Sequence, residues 1–329
     1  MATIETDSES RREWDSGEDQ APDGAARGSA LPPGPDATID AHHHLWDLQG
    51  LRYPWLVGPP VRGHFGPYEK IRRDYTIERF LHDVRNQHVV KSVHVEAGAD
   101  PADAVRETRW LQGVADRHGF PHAIVAHANL AADDVAGTLE AHCAFANVRG
   151  IRMLIRRPGE LRKDDPGGSL MGEPAWRRGF ARLGALGLSF DLQASPSFMV
   201  EAAVLAADFP DTPIVLTHAG LPLDRSVDGL HAWRRGMRRL AERPNVWVKV
   251  SGLPMTDWHW TVESLRPLVF ETIDTFGVNR AMFGSNFPVD GLYSDYDTLV
   301  DAYRTITAAF TPGERRAIFH DNALRFYRL

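Results

Sequence analysis

The chain of 329 residues and 36.7 kDa is too long for a small module and about the size of one (β/α)₈ barrel with additions. Its hydrophobic and charged fractions, 43% and 25%, are those of a globular protein. A net charge of −7 gives nucleic-acid binding no support, and no run of about 18 apolar residues is present to cross a membrane. The single cysteine excludes an internal disulfide and fits a cytoplasmic location.

Residues 1–36 differ in composition from the rest of the chain. They contain nine acids and three arginines, which gives a net charge of −6, and few large apolar side chains. Such a segment cannot bury enough apolar surface to offset its ordering entropy. We therefore predict a disordered acidic tail over residues 1–36, either inert or partner-binding, and one domain over residues 37–329.

After the tail, short β-rich runs alternate with longer amphipathic segments. The predicted strands are Thr38–Ala41, Val89–Glu96, Ala123–His127, Val148–Ile155, Leu188–Gln193, Ile214–His218, Val246–Ser251 and Ala281–Ser285. The predicted helices are Ile77–Asn86, Ala102–His118, Ala131–Ala144, Pro174–Leu186, Phe198–Phe209, Leu230–Glu242, Val262–Phe276, Asp295–Ala308 and Pro312–Tyr327.

This strict alternation implies right-handed crossovers and a parallel sheet. Eight units in about 290 residues predict an α/β fold, a closed (β/α)₈ TIM barrel, rather than an open sheet. Neither GxGxxG after a strand nor GxxxxGK[ST] is present, so a nucleotide-binding sheet would lack its phosphate loop. The aromatic-rich insert Trp46–Thr76 after the first strand is predicted to form a lid over the barrel mouth.

Polar side chains collect at the carboxyl ends of the predicted strands, where barrel enzymes carry their chemistry. They are Asp40, His42, His43, His44, His94, Glu96, His127, Arg152, Asp191, Gln193, His218, Lys249, Ser251, Ser285, Asn286 and Asp290. Polar residues that merely covered the surface would be scattered along the strands. The clustering therefore predicts an active site at this end of the barrel.

Three histidines form the strongest candidate within this group. His42 and His44 project to the same side of an extended segment, whereas His43 points the other way. Neutral imidazole is the commonest protein ligand of Zn²⁺, so this pair can converge on one ion, although such a pair alone is equally compatible with a structural role. Together with His218 at the end of the sixth strand, the pair predicts a metal or catalytic site.

Two buried cations and two aromatic residues are the candidates for substrate binding. Arg152 and Lys249 lie within strands, where an unpaired charge is costly. Arg152 is predicted to bind a substrate anion or to pair with a neighbour such as Asp191, and Lys249 to bind substrate or to be structural. An aromatic lid is predicted to shape the pocket and exclude water; it consists of Trp46, Trp55, Trp258 and Phe287, of which Trp46 and Phe287 are the candidates for substrate contact.

The motifs at these positions resemble those of the amidohydrolase-2 branch of the amidohydrolase superfamily, and within it the group of sugar lactonases and dicarboxylate lactonases. The matching segments are IDAHHHLWD (39–47), YPWL (53–56), VHVEA (93–97), GIR (150–152), THAGLP (217–222), VKVSGL (248–253) and MFGSNFPVD (282–290). The resemblance implies a TIM barrel with His42, His44 and His218 in metal or catalytic positions. It also implies a divalent metal, zinc or alternatively manganese, although some relatives are thought to work without one.

One departure from the family pattern concerns the proton acceptor. Relatives have Gly-Ser-Asp followed by an aromatic residue and proline, and that Asp is metal ligand and general base. This chain has Asn286, whose amide cannot accept a proton at neutral pH. The base is then Asp290, Glu96 or a histidine, unless the reaction needs none there. Asp290 could alternatively cap the next helix. Glu96 could alternatively cap the turn that follows its own strand.

The predicted function is a metal-dependent hydrolase that opens a lactone or related cyclic ester of a small organic acid. A non-oxidative decarboxylase of an aromatic or unsaturated acid is the alternative enzyme, and a non-catalytic ligand-binding protein is a third class. The predicted partner is a small-molecule substrate, an anion if Arg152 binds it. No nucleic acid or membrane partner is expected, and a homo-oligomer is left open.

Overall fold

The computed structural model of the protein describes residues 34, 36–60, 63, 65–155 and 169–329. Apart from Gly34 and Asp36, the predicted acidic tail lies outside these residues. Within them, eight parallel strands pair in sequence order. They are β1 (Thr38–His43), β2 (Val89–Val95), β3 (Ala123–His127), β4 (Val148–Arg152), β5 (Ser189–Leu192), β6 (Ile214–Leu216), β7 (Val246–Val250) and β8 (Ala281–Phe283).

The sheet closes where β1 meets the segment that follows β8. The amide of Asn286 donates to the carbonyl of His42 at 2.7 Å, and the amide of His44 donates to the carbonyl of Phe287 at 2.7 Å. The buried Asp40 accepts the backbone N–H of Ser285 at 2.9 Å and its hydroxyl at 2.6 Å. These bonds join the first and last strands, and the predicted (β/α)₈ barrel is confirmed.

Helices follow the strands and cover the outside of the barrel. In the described residues they are α1 (Pro54–Val57), α2 (Ile77–Val84), α3 (Ala104–His118), α4 (Val135–Cys143), α5 (Pro174–Ala185), α6 (Met199–Asp208), α7 (Val227–Ala241), α8 (Val262–Phe276), α9 (Tyr296–Ile306), α10 (Pro312–Arg316) and α11 (Asn322–Tyr327). A π-helical turn, Ala317–Asp321, divides the last predicted helix. None of the described helices is long and apolar enough to cross a bilayer.

The final helix packs against the amino-terminal ends of the strands. Asn322 donates its amide to the carbonyl of Ala281 at the start of β8, at 2.7 Å. Phe326 and Tyr327 join a buried cluster with the strand residues Val93 and Val125. The helix therefore lies at the end of the barrel opposite to the predicted active site.

The insert between β1 and α2 is held against the carboxyl ends of the strands, as predicted for a lid. The Trp55 indole N–H donates to the carbonyl of Ala97 after β2 at 2.8 Å. The Lys70 ammonium donates to the carbonyl of Gly291 after β8 at 2.7 Å. A third anchor joins the Tyr53 hydroxyl to the buried carboxyl of Glu107 on α3, at 3.0 Å.

The Glu107 anchor predicts a pH-dependent stability. Burial, with a smaller effect of the nearby Glu96, raises the pKa of Glu107 from 4.5 to about 8. Between these values the folded protein keeps the proton and the unfolded chain releases it, so stability falls as pH rises. Glu107→Gln keeps an acceptor for Tyr53 and removes the titration. Urea unfolding should show a gain on the order of 1–3 kcal/mol at pH 8 and a much smaller gain at pH 5.

The matched control is Glu140→Gln, which removes an exposed carboxyl on α4. It should change stability little at either pH. An equal effect of Glu107→Gln at pH 5 and pH 8 would show that Glu107 is ionised throughout this range.

Candidate active site

The three predicted histidines meet at the carboxyl ends of β1 and β6. The ring centre of His42 lies 5.1 Å from that of His44 and 4.5 Å from that of His218. All three are buried. His43 points away, as predicted, and its ring stacks on Phe80 with centres 4.0 Å apart. The alternation of side chains along the end of β1 therefore produces the cluster.

Two members of the cluster, His42 and His44, have pKa values shifted toward the neutral imidazole. Burial, together with the nearby Arg152, lowers the pKa of His44 to about 4. Burial and then the Lys249 ammonium lower the pKa of His42 well below its ordinary value. Neutral imidazoles can act as metal ligands, as hydrogen-bond donors or as proton acceptors.

The spacing of the three imidazoles suits a divalent metal. Three imidazoles around one ion have ring centres about 5 Å apart, given metal–nitrogen bonds of roughly 2.1 Å. The Nδ1 of His44 lies 2.7 Å from the carbonyl oxygen of Val95, so it carries the proton and Nε2 keeps its lone pair. The Nε2 of His42 is buried without a hydrogen-bond partner. Ring spacing and residue type thus suit a metal.

The orientation of the donors suits it less well. Among the residues that the structure describes, no group of three or more His, Cys, Asp or Glu side chains is placed to hold a metal ion. The family carboxylate is replaced by Asn286, whose side chain lies against His44. The three histidines are therefore the candidate ligands, and they would have to turn to share one ion.

His218 is held by an unusual backbone and by β7. Its φ of 56° is left-handed, and Ala219 and Leu221 follow at 48° and 49°. Ser251 lies 3.1 Å from its Nδ1 and accepts its backbone N–H at 3.3 Å. A Cβ on Gly252 would lie 2.4 Å from the Nδ1 of His218, so glycine is required for this close approach.

Asp290 returns to the site and does not cap the next helix. Asn286, also left-handed at φ 57°, donates its amide to Asp290 Oδ1 at 2.9 Å. The other oxygen, Oδ2, is buried and has no partner within hydrogen-bond geometry. The backbone N–H of Gly252 lies close enough to the carboxyl to lower its pKa. Asp295 is the residue that caps α9, accepting the amide of Thr298 at 2.7 Å. The cap interpretation of Asp290 is therefore wrong.

Glu96 and Arg152 form a buried ion pair beside His44. The Arg152 Nε lies 2.7 Å from Glu96 Oε1. Glu96 also accepts the amide of Gly98, two residues on, at 2.8 Å, which bears out its alternative role as a turn cap. Burial alone would raise the pKa of Glu96, but Arg152 and then His127 lower it to about 2. A carboxylate with so low a pKa is a weak proton acceptor near neutral pH.

Lys249 is paired with Asp191, so the structural ion pair predicted as one role of Arg152 is present, but with Glu96 in place of Asp191. The Lys249 Nζ lies 2.6 Å from Asp191 Oδ2, and both side chains are fully buried. Tyr327 donates its hydroxyl to the same carboxylate at 2.9 Å. This inward-facing pair joins β5 and β7 beneath the histidines, where Lys249 also lies 3.4 Å from the Nδ1 of His42.

The two aromatic candidates are packing residues in this structure. Trp46 is fully buried, and its indole N–H donates to the carbonyl of Arg73 at 2.6 Å. Phe287 packs edge-on against Tyr296, with ring centres 5.0 Å apart. Trp46 packs within the insert, and Phe287 packs where the barrel closes. Their predicted contact with substrate stays a prediction.

Comparison with known proteins agrees with this geometry. The model of the family described as Amidohydrolase matches residues 39–329. The chain belongs to the Amidohydrolase family. The predicted superfamily and the predicted enzyme class, a hydrolase, are confirmed.

Three proteins are similar to this chain over nearly its whole length. It is 48% identical over 296 residues to the uncharacterized protein y4mH of Sinorhizobium fredii, a match that covers 89% of this chain and 99% of that protein. It is 28% identical over 300 residues to an L-fucono-1,5-lactonase of Burkholderia ambifaria, covering 88% and 95%. An amidohydrolase of Burkholderia multivorans, whose crystal structure contains bound zinc, matches with a TM-score of 0.75 and 25% identity, covering 89% and 99%.

Three further residues support the site of this amidohydrolase: Asp40, to which sequence reasoning gave no role, and Gly252 and Tyr327, which it missed. Asp40 ties β1 to β8, Gly252 leaves room for His218, and Tyr327 completes the environment of Asp191. The sequence indicates that Asp40 has a specific role, because a carboxylate inside an apolar strand needs several hydrogen-bond donors. Gly252 and Tyr327 gave no indication that can be read without the tertiary structure.

Proposed function

We propose that this amidohydrolase opens the ring of a lactone of a small organic acid, with lactones of sugar acids as the first substrates to test. The observation that carries the proposal is a buried carboxyl group, Asp290, with one oxygen lacking a hydrogen-bond partner, which Asn286 links to the cluster of three buried histidines. Such a set can remove a proton from water and stabilise the oxygen of an attacked carbonyl. The similarity to an L-fucono-1,5-lactonase supports the choice of lactones.

Asp290 is the proposed general base. Burial raises its pKa well above the ordinary value, whereas the Asn286 amide and the Gly252 backbone N–H lower it by less. A base works best when its pKa lies near the working pH, and a raised carboxyl pKa is closer to neutral pH than the ordinary value. The pKa of Glu96, which Arg152 lowers to about 2, is shifted in the opposite direction. Asn286 then orients the base through its hydrogen bond to Oδ1.

The remaining residues are proposed to bind and polarise the substrate. His42, His44 and His218 face the scissile carbonyl, and Arg152, anchored by Glu96, attracts a substrate anion. We also propose that these histidines are the ligands when a divalent ion, zinc or manganese, is bound. Such an ion would supply Lewis acidity to the carbonyl oxygen.

The proposal is tested by following products from two sets of substrates. Sugar-acid lactones should be converted to the open acid with uptake of one water, measured as proton release. Aromatic and unsaturated acids should release no CO₂. Release of CO₂ without hydrolysis of any lactone would establish the decarboxylase instead, and binding without turnover of either set would indicate a ligand-binding protein.

A further inference from the structure

The buried ion pair below the histidines has no role in the proposed reaction, and its position is informative. Lys249 lies on β7, and its Nζ is 2.6 Å from Asp191 Oδ2 and 3.4 Å from His42 Nδ1. Its side chain is fully buried, and the ammonium also lies 5.1 Å from the ring centre of Tyr327. One charged donor thus contacts both a structural carboxylate and a histidine of the site.

The hydrogen-bonding chemistry of an ammonium group restricts what His42 can do. An ammonium has donors and no acceptor, so the Nδ1 of His42 must present its lone pair to Lys249. A neutral imidazole with a lone pair on Nδ1 carries its proton on Nε2. The Nε2 of His42 is buried and has no hydrogen-bond partner.

This tautomer is the reverse of the one that a metal ligand needs. A ligating histidine offers a lone pair to the metal and donates its other N–H to a carboxylate, carbonyl or water. His44 follows that rule, because its Nδ1 lies 2.7 Å from the carbonyl oxygen of Val95. His42 departs from it, because Lys249 stands where an acceptor would be required.

We propose that Lys249 is a positioning residue that fixes His42 with its proton on Nε2. His42 then donates a hydrogen bond to the carbonyl oxygen of the substrate, and the cluster binds divalent metal ions weakly. The donation to the substrate rests on the proposed lactone hydrolysis. The tautomer and the weak metal binding do not, and they are measured without turnover.

The tautomer is tested directly on the wild-type protein. Histidine labelled with ¹⁵N distinguishes protonated from unprotonated ring nitrogens by NMR, and the His42 signals are those lost in His42→Gln. In protein dialysed against a chelator, we expect Nε2 of His42 to be protonated and Nδ1 to be unprotonated. A proton on Nδ1 would overturn the proposal.

The second test is zinc affinity, measured by competition with a chromophoric chelator. Lys249→Met keeps the side-chain length and removes the charge. Zinc binding should become tighter by at least about tenfold, because changes to the partner of a ligating histidine alter metal affinity by about this factor. Because this variant leaves Asp191 unpaired, the double variant Lys249→Met/Asp191→Asn removes both charges and protects the fold. Unchanged or weaker zinc binding in the folded double variant would refute the proposal.

The matched control is Lys91→Met, a lysine near the start of β2, outside the histidine cluster. Its zinc affinity should equal that of the wild type. Tighter zinc binding in this control as well would mean that overall charge, and not Lys249, sets the affinity, and would also refute the proposal.

Discussion

Asp290→Asn is expected to lower kcat by about 10²-fold or more, the usual loss when general-base assistance is removed. The substitution keeps an oxygen that can accept from Asn286 and removes only the ability to take a proton. Its fold and its metal content should therefore remain those of the wild type, as judged by thermal unfolding and metal analysis. Near-normal turnover would transfer the role to a histidine or to Glu96.

The pH profile gives this prediction a second measurement. Asp290 accepts a proton only when ionised, and burial raises its pKa well above the ordinary carboxyl value. The rising limb of kcat/KM with pH should therefore lie above the range of an exposed aspartate and should be absent in Asp290→Asn. The matched control is Asp295→Asn, in the same loop, because asparagine also caps a helix and α9 should persist. That variant should keep both turnover and the rising limb.

Gly252→Ala is expected to lower kcat/KM by about 10²-fold without unfolding the barrel, since a displacement of about 1 Å at a catalytic group has effects of this size. The new Cβ would lie 2.4 Å from His218 Nδ1 and 2.8 Å from the Met255 side chain. His218 must move, and it then loses its position relative to His42.

The control for Gly252→Ala separates the clash from the backbone cost. Gly252 has a φ of +64° and Gly187 a φ of +66°, but a Cβ at Gly187 would meet no atom within 4 Å. Both alanines should cost about 1–2 kcal/mol through the left-handed backbone. Only Gly252→Ala should lose activity in steady-state assays. Equal activity of the two variants would show that His218 has no catalytic role.

Local patterns in the sequence were enough to predict the barrel. Strand and helix periodicities are properties of neighbouring residues, so each of the eight strands and the helices between them lies where its pattern placed it. The errors are at the ends of elements: α4 begins at Val135 and α7 at Val227, and several strands are shorter than predicted. β6 stops at Leu216 and β8 at Phe283 because the chain turns soon afterwards into left-handed conformations at His218 and Asn286. Only the surrounding packing stabilises such conformations in these residue types.

The composition of the site was also present in the sequence. Parallel strands in a barrel bring their carboxyl ends together, so His42, His44 and His218 were expected to meet, and their rings lie within 5.1 Å of His42. The replacement of the family aspartate by Asn286 could likewise be read directly, whereas the sequence left open whether Asp290 returned to the site or capped the next helix. The roles of these residues remain predictions for the experiments above.

The partners of the buried charges were decided by the tertiary structure alone. Arg152 pairs with Glu96 and Lys249 with Asp191, across 56 and 58 residues of sequence, and Lys249 reaches His42 across 207. Which inward side chains share a level depends on the tilt and stagger of the strands. No local pattern encodes that stagger, because it is set by closure of the whole barrel. The sequence by itself therefore determined which groups lie in the site, and the closed barrel decided which of them touch.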